Sequence, residues 1–122
     1  MNRFAVAAIV TSFLLPACIV KAQVPQMINY QGRVSVNGTN FDGTGQFQFA
    51  LVDETGTTNY WSNDGTAGGE PSTAVSLAVT KGLYSAQLGQ SPMTAITPQV
   101  FRRTNVWLRV WFNDGAHGFH QR

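Results

Sequence analysis

The sequence predicts an all-β protein, an antiparallel β-sandwich of about seven strands behind a cleaved N-terminal leader. Three observations carry that reading. Apolar residues alternate at Phe47, Phe49 and Leu51 between Gln46, Gln48 and Ala50, the period of a half-buried strand. Turn-forming pairs such as Lys81-Gly82 and Asn113-Asp114-Gly115 punctuate the chain at strand-length intervals. Beyond the leader the chain is rich in Gly, Thr, Asn, Gln and aromatics and poor in Lys, Glu and Leu, and it has no amphipathic helical pattern of any length.

The leader comes first. Arg3 precedes an apolar run over residues 4–15, broken only by Thr11 and Ser12 and ended by Pro16, which is the pattern of a signal peptide. That run is well short of the roughly 20 apolar residues a membrane-spanning helix needs, so no membrane span is expected. Val20 and Ala22 place the cut before Gln23, leaving residues 23–122 as the mature domain. A rival reading takes Leu15-Pro16-Ala17-Cys18 as a lipobox, with Cys18 lipidated and the chain anchored by its acyl groups.

Along the mature chain the first strand covers residues 27–36, with Ile28, Tyr30, Gly32 and Val34 on one face, and a turn-rich stretch follows over 37–45. The strand at 46–51 leads into a turn at 53–58, a short strand at Tyr60 and Trp61, and a Gly-rich acidic loop over 63–71. Val75, Leu77 and Val79 alternate, Lys81-Gly82 turns the chain, and residues 83–88 return. Pro92 and Pro98 bar a long strand from the irregular stretch 89–104. The last strong strand is 106–112, after which Asn113-Asp114-Gly115 turns the chain toward residues 117–122.

Charge and cysteine content exclude several functions. Of eight Lys+Arg, Arg3 and Lys21 leave with the leader, so six cations balance six acids and the apparent basicity disappears. A nucleic-acid footprint needs clustered positive charge in excess, so no nucleic-acid partner is expected. Acids (Asp42, Asp53, Glu54, Asp64, Glu70) dominate the first half and cations (Lys81, Arg102, Arg103, Arg109, Arg122) the second. The single cysteine lies in the leader, so no disulfide can staple the mature fold.

No catalytic constellation stands out. His117 and His120 are the only general-base candidates, and neither a Gly-x-Ser-x-Gly elbow nor a cysteine nucleophile accompanies them. On a strand, a spacing of three puts these rings on opposite faces, which defeats a shared metal site. The repeated Asn-Asp-Gly at 63–65 and 113–115 fits turn chemistry better than calcium ligation, which concentrates carboxylates at fixed offsets. Asn37-Gly38-Thr39 matches the N-glycosylation triplet and equally a hairpin turn. No metal or cofactor is expected. The candidate binding residues are Trp107, Arg109 and Trp111, which alternate on one face of the last strand while Val106, Leu108, Val110 and Phe112 form its core face. Flat rings flanking a guanidinium suit a protein interface or the stacking of sugar rings; a covering loop such as 89–104, or stacking with Arg109 in place, would instead make them structural.

The chain over residues 24–122 resembles a β-module near the start of exported, surface or tail-fibre-like bacterial proteins. The residues that carry the likeness are Asn29-Tyr30-Gln31-Gly32-Arg33, then Phe47, Phe49, Leu51 and Asp53, then Trp61-Ser62. The hairpin from Val79 to Ser85, Leu88-Gly89 and the Leu108 to Val110 strand complete it. The resemblance implies a non-enzymatic structural or interaction module of the cell envelope, with no active-site residues. It also implies a longer final segment than the Gln121-Arg122 step seen here, and hence a closing edge that is truncated or supplied by a neighbour. A carbohydrate-binding module on the Trp107/Trp111 face and a truncated reading frame without independent function are the alternatives.

Overall fold

A computed structural model describes residues 26–122; the leader, the cut before Gln23 and Cys18 lie outside the described residues. The fold is all-β and every strand pairing is antiparallel. Its strands are β1 (Ile28–Arg33), β2 (Ser35–Val36), β3 (Thr39–Asn40), β4 (Gly43–Val52), β5 (Asn59–Ser62), β6 (Val75–Val79), β7 (Leu83–Leu88), β8 (Trp107–Asn113) and β9 (His120–Gln121). A single 3-10 turn, Pro98–Arg102, interrupts the long connection before β8. Among the described residues, no helix is long and apolar enough to cross a membrane.

The central strand is β4. One of its edges pairs along its length with β8, from Gln46↔Asn113 to Val52↔Trp107. Its other edge is shared end to end by β6, which pairs with residues 43–47, and β5, which pairs with residues 50–52. The second layer is the ribbon β1–β7, in register from Ile28↔Leu88 to Arg33↔Leu83. Aromatic rings bridge the layers: Phe47 meets Tyr84 with centroids 4.3 Å apart, and Phe49 meets Tyr30 at 6.5 Å. Phe47, Phe49, Leu51, Val110 and Phe112 from the large sheet and Tyr84, Ala86 and Leu88 from the small one form a continuous core. The alternation that marked β4 and β8 thus points its apolar face inward as predicted.

The turn-rich stretch 37–45 holds more structure than its composition suggests. Asn37 and Gly38, at φ 52° and 80°, form the tip of a two-residue-strand hairpin, β2–β3, and β4 begins as early as Gly43. Positive φ at both central residues is the type I′ geometry that matches strand twist. Lys81-Gly82 repeats it at φ 52° and 82° between β6 and β7. That turn docks onto the link between β3 and β4: the Lys81 amide donates to Asp42 Oδ1 at 2.6 Å, and the Gly82 amide to the Phe41 carbonyl at 2.7 Å. At the far end, only the last three residues of the expected 117–122 strand meet β8, His120 and Gln121 in register and Arg122 through its amide.

Two segments singled out in the sequence prove to be one structural unit. The pentapeptide around Gly32 is β1, the Leu83-Tyr84-Ser85 step is β7, and Gly32 lies opposite Tyr84. The Tyr84 ring lies where a Gly32 side chain would be, with its Cζ 2.6 Å and its Cε1 2.9 Å from the position of a Cβ atom. Burial, reinforced by the neighbouring Tyr30 hydroxyl, pushes the Tyr84 phenol well above the usual tyrosine range. Gly32→Ala is expected to lower stability by about 2 kcal/mol through overpacking. In a Tyr84→Ala background the same change should cost far less, because the ring is gone. Urea titration of the four proteins checks this, and equal costs in both backgrounds would refute the contact.

Candidate functional site

The outer face of the large sheet is where Trp107, Arg109 and Trp111 lie in file on β8, beside Gln48, Ala50 and Val52 of β4. The three are brought together as expected, yet they do not form an open platform. Trp107 is 61% exposed, whereas Trp111 is only 5% exposed and packs with Ala50, Val52 and Phe119 in a second apolar cluster. The Arg109 guanidinium lies 4.9 Å above the Trp111 ring, and it is held there by Nη1 donating to the Gly56 carbonyl at 2.9 Å and Nη2 to Gln121 Oε1 at 2.6 Å. A cation fixed over an indole stabilises both groups, and Arg109, half-buried, still lines an open hollow with Trp107 and Gln121. The two-tryptophan surface therefore reduces to Trp107 alone.

The cover comes from segments other than the expected one. Phe119, Gln121 and the turn at Gly56 close over Trp111 and Arg109, while the 89–104 stretch serves the opposite side of the sheet. There Ile96 and Val100 enter the main core, and the Thr94 carbonyl accepts the Trp61 indole N–H at 2.7 Å.

The Asn-Asp-Gly at residues 63–65 organises structure. Between the ends of β5 and β6, Asn63 takes the place of a paired strand residue: its amide donates to the Phe49 carbonyl at 3.0 Å, and its Oδ1 accepts the Phe49 amide at 2.9 Å. Its Nδ2 reaches the Thr73 carbonyl at 2.9 Å. Next to it, Asp64 gathers Ser62 Oγ and the amide and hydroxyl of Thr66 on Oδ1, and the Ser72 and Thr73 amides and the Thr73 hydroxyl on Oδ2. Its carboxylate is thus saturated by protein donors. Sequence reasoning saw a turn here and missed both roles; a polar pair at the end of an aromatic strand, followed by a long loop, was the available signal.

The second Asn-Asp-Gly forms the loop after β8. Asp114 Oδ1 accepts the Ala116 and His117 amides, and Oδ2 lies 2.8 Å from His117 Nδ1. His120 Nε2 donates to the His117 carbonyl at 2.8 Å. Only His120 is in a strand, so the two rings do not alternate across one as predicted. Among the described residues no group of three His, Cys, Asp or Glu is placed to hold a metal.

These carboxylates make stability depend on pH. Burial raises the Asp64 carboxyl, but hydrogen bonds from Thr66, Thr73 and Ser72 outweigh it and hold the group far below its ordinary range. The Ala116 amide and the His117 ring hold Asp114 at about 2, and the Thr55 hydroxyl and Thr58 amide lower Asp53. A lowered native pKa favours the ionised form, so the stabilisation is complete above the unfolded value of 3.8 and is lost as pH falls through the native values. The urea midpoint is therefore expected to be flat from pH 5 to 7 and to drop between pH 4 and 2, less steeply in Asp64→Asn. A midpoint independent of pH across that acid range would contradict this.

An apolar open region lies where β8 meets the second layer. A hollow of about 390 Å³ is lined by Ile28, Leu51, Leu88, Val100, Val106 and Leu108, with Phe101 and Arg103 at its side. Phe101 is 50% exposed. The β9 ladder reaches only the far half of β8: Phe112 pairs with His120, Trp111 with Gln121, and the Arg122 amide donates to the Val110 carbonyl at 2.8 Å. No described residue pairs with residues 107–109 on that edge.

The architecture places the chain among small antiparallel β-sandwich domains. Residues 29–121, from the first strand to the last, match the model of a domain of unknown function, DUF8740, and the chain belongs to that family. Among curated proteins and among solved structures, nothing matches the chain.

Proposed function

We propose that the domain is a non-enzymatic interaction module of an exported bacterial protein, acting at the cell envelope by contact with another protein. The observation that carries this reading is the apolar hollow between β8 and the second layer, with the Phe101 ring exposed next to it. Exposed aromatics at the rim of an apolar depression are characteristic of contact surfaces rather than of solvated faces. The leader and the resemblance to surface modules support export.

The polar groups support the same reading from the other direction. Both histidines are engaged within their own loop, and among the described residues neither ring has a hydroxyl group as hydrogen-bond partner. A general base needs a nucleophile within reach. Incubation of the full chain with chromogenic ester, peptide and glycoside substrates is expected to give no turnover above that of His117→Ala and His120→Ala variants. Sustained turnover that disappears in either variant would overturn the proposal.

A further inference from the structure

We propose that Asn37-Gly38, at the tip of the β2–β3 hairpin, is a self-modifying site: the Gly38 amide nitrogen closes on the Asn37 side chain and converts it to aspartate or isoaspartate. This does not depend on the interaction-module reading.

The reaction needs only water. With its proton given up to hydroxide, the Gly38 nitrogen attacks Cγ of Asn37; the N–Cγ bond forms, the Cγ–Nδ2 bond breaks, and ammonia leaves with a proton taken from water, which restores the hydroxide. Water then opens the cyclic imide. Addition at Cγ restores the main chain with an aspartate at position 37. Addition at the main-chain carbonyl instead routes the chain through the side chain as isoaspartate, a methylene longer. In sum a water is consumed and an ammonia released.

Both reacting groups are free. Asn37 and Gly38 are exposed, and neither the Asn37 side chain nor the Gly38 amide has a hydrogen-bond partner among the described residues. A glycine leaves its own nitrogen uncrowded, and no atom lies within 4 Å of where a Gly38 Cβ would stand. Ring closure takes Asn37 out of its φ of 52°, and the hairpin can yield because only Ser35↔Asn40 and Val36↔Thr39 pair within it. Opening stops at its base, where the Phe41 amide donates to the Val34 carbonyl at 3.2 Å and the Val34 amide to the Gly82 carbonyl at 2.8 Å.

Every comparable site is restrained. The other described asparagines precede Tyr30, Phe41, Tyr60, Asp64, Val106 and Asp114, whose side chains crowd the attacking nitrogen. Asp-Gly pairs close the same ring by losing water, but the fold occupies them. The Gly65 amide donates to the Ser62 carbonyl beside the saturated Asp64, and the Gly115 amide to Asn113 Oδ1 beside Asp114, which itself holds the Ala116 and His117 amides. Asp42 Oδ1 holds the Lys81 amide. The consequence for the fold differs between the two products. A two-residue turn has no place for an extra methylene, so isoaspartate unpairs β2 from β3, whereas aspartate tolerates positive φ much as asparagine does and keeps the hairpin.

The test incubates the full chain in warm, mildly alkaline buffer, folded or in urea, and follows each site by mass spectrometry of digests with enzymatic labelling of isoaspartate. In the folded chain the segment holding Asn37 is expected to gain about 1 Da. It should do so at least ten-fold faster than any other asparagine and within about ten-fold of its own rate in urea. Isomerisation at Asp64 and Asp114 should appear only in urea. Gly38→Ala is expected to slow conversion at least ten-fold in both conditions; the urea arm, in which no turn remains, separates crowding of the nitrogen from damage to the hairpin. Conversion of Asn37 in urea but not in the folded chain would overturn the proposal, as would equal rates in Gly38→Ala, or conversion at Asp64 or Asp114 in the folded chain as fast as at Asn37. Amide exchange over residues 35–40 should be faster in the isoaspartyl product than in Asn37→Asp, and equal protection would overturn the stated effect on the hairpin.

Discussion

Trp111→Ala is expected to destabilise the domain by about 4 kcal/mol, whereas Trp107→Ala, four residues earlier on the same face of the same strand, should change stability by less than about 1 kcal/mol. Trp111 is buried against Ala50, Val52 and Phe119, and it carries the Arg109 guanidinium on its ring. Removing the indole opens a cavity that the rigid sheet cannot fill, and it leaves Arg109 without its platform. Trp107 has most of its surface in solvent already, so truncation removes little buried area. Urea denaturation of the two variants, followed by circular dichroism because each loses a fluorophore, measures the contrast. Similar losses would mean that the outer face is not divided as described.

Asn63→Ala is expected to cost about 3 kcal/mol. The side chain stands in for a strand between β5 and β6, and its loss strands the buried Phe49 amide and the Thr73 carbonyl at once. A buried polar group left without a partner costs about 1–3 kcal/mol, and Phe49, on the central strand, is fully buried. Asn63→Asp keeps an acceptor for Phe49 but faces the Thr73 carbonyl with an oxygen, so it is not expected to restore wild-type stability. The thermal midpoints of both variants, with amide exchange at Phe49 as the local readout, check the assignment. Unaltered protection of the Phe49 amide in Asn63→Ala would refute it.

What the sequence disclosed follows from the range of the interactions involved. Phe47, Phe49 and Leu51 announce β4 because period two is a local property, and Lys81-Gly82 announces a hairpin because positive φ is one as well. By local pattern Gln48 and Ala50 belong to a solvated face, yet both are buried, because their cover arrives from elsewhere in the chain: the Pro71 carbonyl accepts from Gln48 Nε2 at 2.8 Å, and Phe119 packs against the cluster that holds Ala50. Trp107 and Trp111 are equivalent in any local pattern; only the position of Phe119 and Gln121 separates them. Asn63 was hidden for the opposite reason, since its residue type is so common in turns that a load on its side chain leaves no trace in composition. The candidate hollow beside β8 was not legible, because Ile28, Leu51, Leu88 and Val100 come from four separate segments that no spacing brings together.

The double pairing of β4 also sets an order of events in time. Leu51 meets Trp61 soon after both are made, but its other neighbour, Leu108, lies 57 residues further along the chain (108 − 51). A ribosome therefore releases one of the most apolar stretches of the domain long before the strand that shields its second edge exists. Such a segment is prone to aggregate while it waits. The large sheet of a polypeptide with this topology can close only once β8 has been made.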